Sequence, residues 1–162
     1  MNRAILSLGS NVGNRLHHLA QAKGELAKEG FRIAKQSSIY ETAAWGNEDQ
    51  DDFYNEVIEL ETKFSAKELM QSILHIEQSM GRIRKQKWEA RIIDIDILFF
   101  NDEIIHSDNL TIPHPHLHKR KFILIPLNEI LPETIHPILK KTISTLLHEL
   151  DDSLQVKKIN NR

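Results

Sequence analysis

Ile92-Ile93-Asp94-Ile95-Asp96-Ile97-Leu98-Phe99-Phe100 is a β-branched and aromatic run that reads as a well-buried strand, yet it carries two carboxylates. An isolated acid in such a run would be expelled or neutralised, so the pair demands compensating charge. Side chains alternate across a strand, which puts Asp94 and Asp96 on one face with Cα atoms roughly 7 Å apart, close enough to hold divalent cations between them. Ile93, Ile95, Ile97 and Phe99 are expected on the opposite face, towards a core. Directly upstream, Arg82-Ile83-Arg84-Lys85-Gln86-Lys87-Trp88-Glu89-Ala90-Arg91 places five fixed positive charges in ten residues. Such clusters are the usual company of phosphate groups. Acids for a cation beside bases for phosphate point to magnesium-nucleotide chemistry.

The rest of the chain narrows the setting. Its 162 residues are expected to form one domain, 1–162, long enough to bury a core without covalent staples. The absence of cysteine excludes disulfides, thiolate zinc sites and cysteine nucleophiles, leaving oxygen or imidazole to hold any metal. No apolar stretch is long enough to span a bilayer and the start does not read as a signal peptide, so a cytoplasmic protein without membrane contact is expected. A formal charge of −2 disfavours a general nucleic-acid binder, because the basic charge is confined to 82–91.

Residues 3–8 read as a strand running into Gly9-Ser10-Asn11-Val12-Gly13-Asn14, a loop of turn formers, followed by a helix that Gly30 ends. A second strand is expected over 31–40, a loop over 41–52 and a third strand over 53–61. Ser65 and Glu68 form a capping-box pattern ahead of Leu69, Ile73, Ile76 and Met80 at helical intervals. After the strand with the aspartates, Asn101-Asp102 reads as a hairpin turn with 103–106 returning. Pro113 and Pro115 are expected to fix an extended segment, 121–130 a helix interrupted near Pro126, 142–150 a last helix and 154–159 a short strand. The order β-α-β-β-α-β is the ferredoxin-like α+β layout, an antiparallel sheet with helices on one side and C-terminal additions.

Gly9-Ser10-Asn11, Phe53-Tyr54-Asn55, Gly81-Arg82-Ile83-Arg84-Lys85, Trp88, Arg91, Asp94-Ile95-Asp96-Ile97 and Pro113-His114-Pro115 occur in an order that resembles the 6-hydroxymethyl-7,8-dihydropterin pyrophosphokinase family. The resemblance runs from the first strand to about Pro132. It implies transfer of diphosphate from ATP to the hydroxymethyl group of the reduced pterin, with release of AMP, in folate synthesis. In this chain Lys87-Trp88-Glu89-Ala90-Arg91-Ile92 replaces the family's usual Arg-Trp-Gly-Pro-Arg-Thr, which alters the loop's stiffness and charge.

By that resemblance Asp94 and Asp96 hold two Mg²⁺ ions, and Arg82 and Arg91 stabilise the transition state. The nucleotide site is drawn from Glu77, Arg84, Lys85, Lys87, Trp88, Ile97, Thr111, His114 and Arg120. Phe53 and Phe122 are the proposed stacking pair for the pterin. Asn55, on the same strand face as Phe53, reads the ring edge, while Thr42, Ala43 and Trp45 line the pocket and Trp88 closes over it. Ser10 or Asn11 is a candidate for the pocket's edge. His114, His116 and His118 alternate in the manner of a zinc cluster, but the resemblance makes His114 a phosphate donor, and His116 and His118 are expected to face solvent. The implied partners are ATP and the pterin, and a monomer is expected. Two other readings suit acids beside arginines: a metal-dependent phosphoesterase, which needs neither ATP nor an aromatic slot, and a ferredoxin-like nucleic-acid-binding module.

Overall fold

In the computed structural model, which describes residues 1–43, 51–81 and 92–159, the chain runs β1 (Asn2–Ser10), α1 (Arg15–Lys28), β2 (Arg32–Gln36), β3 (Tyr40–Thr42), β4 (Phe53–Thr62), α2 (Ala66–Ser79) and β5 (Asp94–Phe100). It continues with β6 (Ile105–His106), β7 (Thr111–Ile112), α3 (Lys121–Ile130), α4 (Ile143–Glu149) and β8 (Lys157–Lys158). The main sheet has the order β5-β1-β4-β3-β8, with β2 also on β4, and all its pairings are antiparallel. This is the ferredoxin-like arrangement, and it makes β5, with its two aspartates, an edge strand among the described residues.

Local chemistry places the first two helices. Asn14 caps α1 by accepting from His17 N–H, and Gly30 leaves the helix at φ +98°, a conformation that a side chain would resist. The capping box of α2 is complete: Ser65 Oγ accepts from Glu68 N–H at 3.1 Å and Glu68 accepts from Ser65 N–H at 3.0 Å. Leu19, Ala22 and Leu26 of α1 and Leu69, Ile73 and Ile76 of α2 pack with Ala4, Leu6, Leu8, Ile58 and Leu60 of the sheet into one core cluster.

The opposite face is not bare. Ile5, Val57, Leu98 and Phe99 pack there with Ile123, Leu124 and Leu127 of α3 and Ile143 and Leu146 of α4. The helices therefore cover both faces, where the β-α-β-β-α-β pattern alone predicts one. Pro126 does not interrupt α3, which runs through it with the ring buried. The two C-terminal helices cover only part of their face, and the remainder is open to form a cavity.

Three further expectations change in detail. The segment 31–40 divides into β2 and β3, with the register on β4 shifting between Ile33 and Lys35. The turn at Asn101, where φ is 50°, is present, but β6 pairs with β7 instead of returning along β5. The register between β1 and β5 shifts between Ile5 and Leu6, which face Phe99 and Ile97 respectively and leave Leu98 as an extra residue. That bulge resets the alternation. Leu98 and Phe99 consequently both join the α3 and α4 cluster, on the aspartate side, and Phe100 takes the α1 and α2 side in place of Phe99.

Candidate active site

The cavity left open beside α3 has a volume of about 680 Å³, and its floor is the sheet. Ser7 and Gly9 of β1, Phe53 and Asn55 of β4, Thr42 and Ala43 at the end of β3, and Asp94 and Asp96 of β5 all line it. Their shared placement follows from register. Gly9 stands opposite both Asp94 and Asn55, Ser7 opposite Asp96, and Thr42 opposite Phe53. Alternation along each strand then presents these residues on one face. Lys119, Arg120 and Phe122 add a second wall from the entry to α3.

Small residues opposite the acids leave room above them. Gly9 belongs to β1 and not to the expected loop, and a side chain there would press on Asn55. A Cβ there would lie 2.9 Å from Asn55 Oδ1. Asn55 is buried and donates from Nδ2 to Thr42 Oγ1 at 3.0 Å, which orients its amide towards the cavity that both residues line. Gly9→Ala is expected to leave the melting temperature nearly unchanged, since a side-chain tip can yield, but to displace this amide. The KM for a ligand read by Asn55 should rise about tenfold, the loss of roughly one hydrogen bond, with the KM for nucleotide unaffected. Equal KM values in steady-state kinetics of the two proteins would show that the amide is not used.

Ser10 and Asn11, the sequence candidates for the pocket edge, are buried but do not line the cavity. Ser10 Oγ lies 3.4 Å from His18 Nδ1 on α1, whereas Ser7, two residues before Gly9, does line it. Alternation from Gly9 is the signal that identifies Ser7. Tyr54 does not line the cavity and packs under the Arg15 guanidinium at 3.8 Å.

Of the nucleotide candidates within the described residues, only Arg120 lines the cavity. Ile97 buries its side chain in the α1 and α2 core, and Thr111 is paired with His106 in the small β6-β7 ribbon. Glu77 is buried on α2 and accepts from Ile95 N–H at 2.9 Å. It thus holds the edge strand at the residue between the two aspartates. Trp45, Arg82, Arg84, Lys85, Lys87, Trp88 and Arg91 lie outside the described residues.

His114 sits on a bent segment, not an extended one: a turn at Pro115 and His116 leads into a 3₁₀ turn over Leu117–Lys119. His114 Nδ1 accepts from His116 N–H at 3.1 Å, so its proton resides on Nε2, the nitrogen able to donate to an anion. Burial, then the Arg120 and His116 charges, push His114 down from 6.5 to about 4 against an upward pull from Asp94. His118 is half-buried and not solvent-facing, with its ring 6.2 Å from that of His136. Burial lowers both of these histidines too, helped by Lys119 and His116 at His118 and by His118 at His136.

A depressed imidazole binds its proton more readily in the unfolded chain. Stability from these three groups is therefore complete above pH 6.5 and is lost as the pH falls below that value, for His114 as far as about 4. The urea midpoint is expected to drop between pH 7 and pH 5. His136→Asn, whose Oδ1 can replace the Nδ1 that accepts from Ile138 and Leu139 N–H, should flatten that slope. Identical slopes would remove the histidine from the explanation.

Among the described residues no group of three or more His, Asp or Glu side chains converges as a cation cage. Two carboxylates over an open cavity are instead the donor set that suits magnesium, which keeps waters and takes substrate phosphates as its remaining ligands. The site thus offers acids for a cation, bases for phosphate, and a slot with two phenylalanines and an oriented amide.

Comparison with known proteins agrees with this chemistry. The chain is 43% identical over 143 residues to the 2-amino-4-hydroxy-6-hydroxymethyldihydropteridine pyrophosphokinase of Aquifex aeolicus, covering 88% of this chain and 89% of that one. It is 42% identical over 130 residues to the enzyme of the same name from Bacillus subtilis, covering 80% and 78%. The fold matches the crystal structure of Plasmodium falciparum HPPK-DHPS wild type with SDX-DHP at a TM-score of 0.71 and 22% identity, over 92% of this chain and 43% of that longer one. A family profile described as 7,8-dihydro-6-hydroxymethylpterin-pyrophosphokinase (HPPK) matches residues 5–132, and the chain belongs to that family.

Proposed function

We propose that this chain transfers diphosphate from ATP to the hydroxymethyl group of 6-hydroxymethyl-7,8-dihydropterin, in tetrahydrofolate synthesis, within the cavity between β5 and α3. The observation that carries the reading is that the two aspartates and the slot with its phenylalanines and amide open into the same cavity. The hydroxymethyl oxygen releases its proton to solvent and bonds to the β-phosphorus, the bond from that phosphorus to the oxygen shared with the α-phosphorus breaks, and AMP leaves with that oxygen. A phosphoesterase would have no use for the phenylalanines and the oriented amide.

Asp94 and Asp96 are the residues that would hold two Mg²⁺ ions. Bound there, the metal would supply neutralisation of polyphosphate charge and a lowered pKa for the acceptor hydroxyl. The chain's own groups do the rest. Phe53 and Phe122 present apolar faces to the flat ring, and Asn55, held by Thr42, can pair with its donor and acceptor edge. Arg120, which lines the cavity, and the His114 Nε2–H, which lies outside its lining, are assigned to phosphate oxygens, the histidine on the sequence pattern. The cationic residues of 82–91, with Arg82 and Arg91 foremost, are assigned to the polyphosphate on the sequence pattern. Glu77 serves the site through the strand and needs no nucleotide contact to do so. Action as a single-domain monomer and a cytoplasmic location are proposed with this activity. No helix among the described residues is long and apolar enough to cross a membrane.

The test is a product analysis. Purified protein with ATP, Mg²⁺ and the pterin should form AMP, and only when the pterin is present. Formation of ADP, or nucleotide turnover independent of pterin, would overturn the assignment.

A further inference from the structure

The family profile ends at residue 132, yet Asp152, Ser153 and Leu154 line the same cavity as Asp94, Asp96, Phe53 and Phe122. They belong to a strap, 151–156, that is fastened at both ends. On one side Leu150 packs against the α3 and α4 cluster, and Lys121 Nζ, one residue before Phe122, reaches the Asp152 carbonyl at 3.5 Å. On the other side β8 pairs with β3, Lys158 facing Tyr40 and Lys157 facing Glu41, and Ile159 N–H donates to the Ile39 carbonyl at 2.8 Å. A further tie crosses the same place. Tyr40 and Ser38 donate to Glu129 of α3. Burial raises that carboxyl, but these donors and the Lys158 charge outweigh it and bring it below 4.5.

The strand that anchors the strap is the one that orients Asn55 through Thr42. Within the strap, Leu154 N–H donates to Asp152 Oδ1 at 2.8 Å, closing a tight local turn in the cavity-lining stretch. Leu154 is half-buried and is the strap's apolar contribution to a wall that otherwise includes Ala43, Phe53 and Phe122.

From this geometry we infer that Leu154, carried by the C-terminal strap, is a specificity-determining residue for the acceptor, forming the outer apolar wall of the slot and limiting the bulk of the ring that enters. The inference rests on the assignment of this cavity to the pterin. An apolar wall of fixed position excludes water from the flat ring and rejects substituents that extend past it. The nucleotide, whose phosphates are assigned to Arg120 and to the cations that the aspartates would hold, has no need of it.

The experiment uses the full chain and compares Leu154→Ala with Asn55→Ala. For Leu154→Ala the KM for pterin should rise about tenfold, the effect of losing a partly buried leucine contact. The KM for ATP, kcat and the melting temperature should stay close to wild type. Turnover of a ring-alkylated pterin relative to the parent, as a ratio of kcat/KM, should rise about tenfold. A change in both KM values together with the melting temperature would overturn the inference in favour of a purely structural strap. If Leu154→Ala is silent while Asn55→Ala raises the pterin KM, the strap is not part of the slot and the slot stands. If both are silent, the pterin assignment of the cavity fails with it.

Discussion

Asp96→Ala is expected to lower kcat by about a thousandfold or more while leaving the fold and the binding of pterin alone in place. The carboxylate lines the cavity opposite Ser7 on a strand whose register is held by β1 on one side and by Glu77 on the other. Its removal takes away half of the acid pair assigned to the cation but no core contact. Metal stabilisation of transferring phosphoryl charge is worth several kcal/mol, and each 1.36 kcal/mol is a factor of ten in rate. Asp94→Ala should behave in the same way, and the double variant should lose little more, because two ligands of one centre act as a unit. The discriminating measurement is a magnesium titration of turnover alongside pterin binding by fluorescence. An Asp96→Ala protein that kept near-native turnover with unchanged magnesium dependence would refute the assignment of this acid to the metal.

The strand that led to this site was legible because its signal is local: a dense β-branched run is a strand wherever it falls, and acids two apart share a face. What could not be read was the bulge at Leu98. It depends on how Ile5 and Leu6 of a strand ninety residues away meet Ile97 and Phe99, and it moves Phe99 to the other side of the sheet. The capping box of α2 was legible for the same local reason. Gly9 and Ser10 were misread as loop because their composition is that of a turn. Here they extend a strand, and the missing side chain of Gly9 serves Asn55, a residue contributed by β4.

Phe53, Asn55 and Phe122 were found as a set through family resemblance; alternation along β4 explains why the first two share a face, and the entry to α3 brings Phe122 to them. The strap residues 152–154 carried no comparable signal. A two-residue strand, β8, brings them to the cavity by pairing with another short strand, β3, and neither has enough alternation to announce the pairing. Likewise the His114 tautomer follows from a backbone N–H two residues on, which only the turn at Pro115 places within reach.

The largest effect on stability is expected away from the cavity. Glu56 of β4 is fully buried on the α1 side of the sheet, between the neighbours Asn55 and Val57 that face the other way. Lys23 of α1, itself largely buried, places its ammonium 3.0 Å from one Glu56 oxygen and 3.1 Å from the other, and 3.0 Å from Gln36 Oε1. Removing one partner of such a buried pair costs about 3–5 kcal/mol, whereas replacing both by apolar groups is often neutral. Lys23→Met keeps most of the aliphatic stem, so a loss of packing is not confounded with the loss of charge. It should lower the unfolding free energy by that amount and the melting temperature by about 10 °C. Lys23→Met combined with Glu56→Leu should recover most of the loss. Chemical denaturation of the three variants gives the coupling directly: if the double variant is no more stable than Lys23→Met alone, the buried charge is not the cause. Because Glu56 shares its strand with Asn55, pterin affinity in the single variant should fall only where the protein begins to unfold, which separates this structural pair from the site it supports.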